Sequence, residues 1–75
     1  MVRIESVRKT YANENGLPTC VCDLQVSTEA ELPDIGDEVL GVIIAPGTIA
    51  QIIQTGEYAT LDDDGSWYDN SGNEI

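Results

Sequence analysis

Apolar and polar residues alternate with a period of two over several short stretches, and the 3.6-residue period of an amphipathic helix is scarce. The clearest alternation runs from Thr19 to Ser27. Cys20, Cys22, Leu24 and Val26 fall on one face, and Thr19, Asp23 and Gln25 on the other, with Val21 breaking the polar row. Val2 to Tyr11, containing Val, Ile, Thr and Tyr, predicts a strand before it. Asn13-Glu14-Asn15-Gly16 predicts the turn between them, because Asn and Gly tolerate positive φ. The two strands are expected to form an antiparallel hairpin.

Val42-Ile43-Ile44 and Ile49 to Gln54 predict two further strands, with Ala45-Pro46-Gly47-Thr48 as a turn between them. Glu57 to Leu61 and Ser66 to Tyr68 are shorter strands, set off by turns at Gln54-Thr55-Gly56, Asp62-Asp63-Asp64-Gly65 and Asp69-Asn70-Ser71-Gly72. Ser27 to Glu38 is expected to be a loop with a turn at Asp34-Ile35-Gly36-Asp37. One short helical turn near residues 28–32 opens it, capped by Ser27 or Thr28, acidic in its first turn and stopped by Pro33. The expected fold is all-β, a small antiparallel β-meander or barrel-like domain, with residues 1–75 forming a single domain.

Length and charge narrow the picture. A 75-residue chain makes a small core, so a staple or an assembly partner becomes plausible. The formal net charge is −11, from 14 acidic and 3 basic residues. Such a charge argues against direct contact with nucleic acid or anionic membranes. The 41% of hydrophobic residues argues for a folded domain over an acidic tail. The bases, Arg3, Arg8 and Lys9, all fall in the first nine residues with one acid, Glu5, and the other thirteen acids follow. That basic end meets the acidic body of its own chain or a neighbour's, or it is simply solvated. No stretch reaches the ~18–20 apolar residues of a membrane helix. The first residues lack the apolar core of a secretory signal, so folding in a cytoplasm is expected.

Catalytic and metal chemistry find little purchase. Without His there is no Ser-His-Asp triad and no Cys-His pair, and the glycines form no phosphate-binding loop. The chain is expected not to be an enzyme and to need no cofactor. Cys20 and Cys22 read as reduced, buried thiols, with a strained local disulfide or a redox pair as the alternative. Asp62-Asp63-Asp64-Gly65, with Asp69 beyond, fits the spacing of a calcium loop poorly and reads as an Asp-Gly turn, a weak cation site being the alternative. No metal site is expected. Trp67 is a lid on the core or an interface anchor.

The Ile49–Gln54 strand is apolar on both faces, Ile49 and Ile53 on one, Ala50 and Ile52 on the other. Either a second copy covers the second face, or a bulge or bend turns both rows into one core.

Glu31-Leu32-Pro33, Ala45-Pro46-Gly47-Thr48-Ile49-Ala50, Gly56-Glu57-Tyr58, Leu61 and Asp64-Gly65-Ser66-Trp67-Tyr68 occur in that order. This series resembles small virion proteins of tailed bacteriophages, head-decoration or head-fibre-like capsid-attached modules. Thr48 stands where those proteins more usually carry Ser. The resemblance covers roughly residues 29 to 69. It implies a structural role in the virion after synthesis in the bacterial cytoplasm, with the phage major capsid protein as partner and a homo-oligomer, a trimer, as the assembly. Val42, Ile44, Ile49, Ile52, Ile53, Tyr58 and Trp67 are then the candidate oligomer or capsid interface. The alternative function is an acidic phage-encoded inhibitor, a DNA-mimic decoy for a basic host protein.

Overall fold

A computed structural model describes residues 1–14 and 16–75, the side chains of 12–14 excepted. The chain is all-β. Strands β1 (Val2–Glu14), β2 (Leu17–Val26), β3 (Glu38–Val39), β4 (Val42–Ile44), β5 (Ile49–Ile52), β6 (Glu57–Leu61) and β7 (Trp67–Tyr68) form one open sheet, and a single 3-10 turn spans Glu29–Glu31. Of the expected first turn, Asn13 and Glu14 continue β1, Gly16 has φ +83, and Asn15 lies outside the described residues.

The strand order is β3-β4-β2-β5-β6-β7, with β1 paired to β2. The β1–β2 hairpin is antiparallel, and β5, β6 and β7 form the expected antiparallel meander. The centre differs from that plan. Both β4 and β5 run parallel to β2, against Thr19–Cys20 and Asp23–Val26 respectively, and the sheet stays open instead of closing into a barrel. Ala45–Thr48 is therefore not a reversal. Cys20 faces Ile44 and Asp23 faces Ile49, so three steps along β2 oppose five along β4–β5. The surplus residues arch away from the sheet and the chain resumes in the same direction. Three steps leave β2 polar groups needing partners. The Ala45 N–H donates to the Cys20 carbonyl at 3.0 Å, and the Cys22 N–H donates to the Thr48 hydroxyl at 3.2 Å. A side chain thus completes a backbone ladder.

The arch also ties in β6. The Gly47 N–H donates to the Leu61 carbonyl (2.8 Å), and the Leu61 N–H donates to the Thr48 carbonyl (2.9 Å). Gly47 takes φ +96, and a Cβ there would lie 3.5 Å from Val21 Cγ1. The arch is the cover over Val21, which explains how an apolar residue is buried on the otherwise polar face of β2.

The core is the row Cys20, Cys22, Leu24 and Val26 from β2, packed with Val39, Ile44, Ala50, Ile52, Ala59, Leu61 and Trp67. Val2, Ile4, Leu32 and Val42 pack against it. Three register shifts in β1 insert extra residues opposite β2. Val2, Ile4, Val7 and Thr10 still face Val26, Leu24, Cys22 and Cys20 in turn. The core ends before Val7 and Tyr11, which are exposed. Both cysteines are free and buried.

Trp67 is a lid: its indole N–H donates to the Pro33 carbonyl at 2.7 Å. The helical turn falls where the sequence places it. The Glu31 carboxylate accepts the N–H groups of Ser27 (3.0 Å) and Thr28 (3.3 Å) and pairs with the N-terminal ammonium of Met1. These partners hold the Glu31 carboxyl below its ordinary pKa, the ammonium contact first among them.

Candidate interaction surface

Residues that alternate with the core residues form the outer face of the sheet. Pairing aligns them in two rows across four strands. One row is Arg3, Gln25, Gln51 and Tyr58; the other begins with Ser6 and continues through Asp23, Ile49 and Thr60. The first row is locked by hydrogen bonds. The Arg3 guanidinium donates to Gln25 Oε1 (2.6 Å), and Gln25 Nε2 donates to Gln51 Oε1 (3.0 Å). In the second row, the Ser6 hydroxyl donates to Asp23 (2.8 Å).

The bulges in β1 bring charge onto this face. Glu5 and Arg8 are the residues skipped at the first two register shifts against β2. Glu5 pairs with Arg3 at 2.7 Å, and Arg8 Nε pairs with Asp23 at 2.9 Å. Arg8 also donates to the Gly47 carbonyl at 2.5 Å, fastening β1 across β2 to the arch. The basic end thus meets acids of its own chain through two of its three bases; the third, Lys9, lies over the Tyr11 ring at 5.1 Å. Two cations and two carboxylates cancel here, so the outer face across β1, β2, β5 and β6 is formally neutral on a chain of charge −11. The pairs are solvent-exposed and contribute little stability individually.

Between the rows lies a shallow concavity of about 580 Å³, lined by Ile49 and Tyr58 and by the polar side chains of Glu5, Asp23, Gln51 and Thr60. Of the seven interface candidates, three face this side of the sheet or its end. Ile49 is partly buried in the concavity, Tyr58 is 46% exposed at it, and Ile53, just past β5, is 49% exposed. Ile44, Ile52 and Trp67 are buried in the chain's own core, and Val42 packs against that core. The apolar surface of Ile44, Ile52 and Trp67 is thus already covered, and that of Val42 in part. The bend before β5 does not turn its second row inward, since Ile53 stays exposed.

The acidic turns use their oxygens locally. Asp64 accepts the Ser66 N–H (2.9 Å) and the Tyr68 hydroxyl (2.7 Å), and Asp69 accepts the N–H groups of Ser71 (2.9 Å) and Asn73 (3.0 Å). The Tyr68 hydrogen bond, then the Ser66 one, lowers the Asp64 pKa, and the same contact with Asp64 raises that of Tyr68. Among the described residues no three His, Cys, Asp or Glu side chains converge as a metal site would require. Burial, then the neighbouring Cys20, pushes the Cys22 thiol pKa up, which makes it a poor nucleophile near neutral pH.

Sequence reasoning missed the locking of Gln25 to Gln51, the reach of Arg8, and Leu40. The last had a signal: two residues ending in Gly between Val39 and Val42 fit a two-residue hairpin. No family model, curated protein or solved structure matches this chain.

Proposed function

We propose that this protein is a non-enzymatic structural component of a bacteriophage virion, attached to the capsid as a decoration or head-fibre-type module and assembled from several copies, a trimer being the natural form at a threefold position. One observation carries the reading. The motifs that resemble phage virion proteins interlock in space. Pro33 of the first accepts the indole N–H of Trp67 in the last, and Gly47 and Thr48 of the second bond to Leu61. Asp64 bonds to Tyr68 within the last. The residues that carry the resemblance thus belong to one connected framework of turns in this fold. The neutral outer face supports docking onto a protein surface, because the rest of this acidic chain repels other acidic surfaces.

The test is to purify particles from the bacterium and phage that carry the gene and to quantify this chain against the major capsid protein by mass spectrometry. A fixed copy ratio that survives salt washing is the expected result. A chain expressed during infection but absent from washed particles would remove the reading. Binding to a DNA-binding host protein in competition with DNA would then favour the decoy function.

A further inference from the structure

Leu40 is the one residue other than glycine with positive φ among the described residues, at φ +50. With Gly41 (φ +91) it makes the two-residue turn between β3 and β4. Such a turn needs left-handed backbone at both corners and ordinarily selects Asn-Gly or Asp-Gly. Leucine lacks the short polar side chain that eases this conformation, and its Cβ crowds the following carbonyl. The side chain is 68% exposed, more than any other large apolar residue described. A strained backbone that presents an exposed apolar side chain has the features of a contact residue.

The outer face supplies a complementary shape. Its concavity of about 580 Å³ is lined by Ile49 and Tyr58 among polar side chains and has room for one leucine side chain. Its charges cancel through the Arg3–Glu5 and Arg8–Asp23 pairs; Leu40 and Gly41 themselves carry no charge, with the exposed Glu38 two residues before Leu40. Two copies of charge −11 repel, and contact is least opposed on the face whose charges are already paired.

We propose that Leu40 of one copy seats in the outer-face concavity of a second copy, against Ile49 and Tyr58. Tip and socket are different surfaces, so the contact repeats head to tail and closes into a ring when the rotation allows. The proposal rests on the oligomeric part of the function proposed above and names the surface that would carry it.

The test is solution mass by size exclusion with light scattering over a dilution series, for the intact chain and two variants. Leu40→Asn keeps the turn and relieves its backbone. It is expected to raise the melting temperature by about 4–8 °C while weakening self-association roughly tenfold or more. Tyr58→Glu adds a charge at the socket and is expected to give a folded monomer. Mixing the two variants supplies one intact socket and one intact tip, and a 1:1 dimer is expected. An intact chain that stays monomeric throughout, a Leu40→Asn variant with unchanged association, or a mixture that stays monomeric would each overturn the proposal. A monomeric chain still found in particles would sink the ring alone; an oligomer absent from particles would sink capsid attachment alone.

Discussion

Thr48 and Thr19 carry the same side chain in opposite situations. Thr48 is 0% exposed; its hydroxyl donates to the Ala45 carbonyl at 2.8 Å and accepts the Cys22 N–H at 3.2 Å. The Thr19 hydroxyl is buried without a partner among the described residues. Valine matches threonine in shape and lacks the hydroxyl, so one substitution separates the cases. Thr48→Val leaves a buried N–H unpaired and is expected to cost about 1–3 kcal/mol. Thr19→Val removes an unpaired hydroxyl and is expected to be neutral or to stabilise by about 1 kcal/mol. Urea unfolding of the two variants checks the opposite signs. Thr48→Ser keeps the hydroxyl and is expected to lose less than Thr48→Val. The sequence showed Thr48 only as a turn residue. Its role in completing the β2 ladder depends on β4 and β5 lying on the same edge, which no local pattern reveals.

Among the elements, the helical turn and the β6–β7 turn are held by carboxylates with lowered pKa, Glu31 and Asp64. A carboxyl whose folded pKa is depressed binds fewer protons folded than unfolded. Its contribution is present above the unfolded pKa, about 4, and is lost as pH falls through the lower folded value. Protonating the other acids relieves self-repulsion, so in thermal melts from neutral pH downward the intact chain is expected to lose the Glu31 and Asp64 contribution below about pH 4 against that relief. That loss should be shallower in a Glu31→Gln, Asp64→Asn double variant; an unchanged acid limb would contradict the assignment. The raised Tyr68 pKa has the opposite consequence: its contribution is lost as pH rises above the ordinary tyrosine value. These elements were largely legible. Val42–Ile44 and Glu57–Leu61 stand where their apolar and β-branched residues place them. The two-residue β3 was not, because Glu38–Val39 is a strand only through its pairing with Val42 and Ile43.

For the whole molecule, self-repulsion is the governing field. The chain spans 34 × 24 × 19 Å and carries −11. At about 0.01 M salt the screening length is about 30 Å, comparable to the molecule, and at about 1 M it is about 3 Å. Raising NaCl across this range is expected to raise the melting temperature and to strengthen self-association. Association that weakened with salt would mean that charge attraction, not a neutral contact, holds copies together. The sequence by itself determined the local features: short strands, turns where Asp, Asn and Gly cluster, the buried face of β2, the capped turn before Pro33 and the acidic charge. Each follows from the period of side chains along an extended chain or from the conformational range of a few residues, and is complete within about ten positions. Only the tertiary structure decided the parallel pairing of β4 and β5 with β2, the arch over Val21 and the burial of Ile44, Ile52 and Trp67. It also decided the neutral outer face and the exposure of Leu40. These depend on which distant segments share an edge or a face, and the hydrogen bonds and burial that select such partners exist only after the chain has closed on itself.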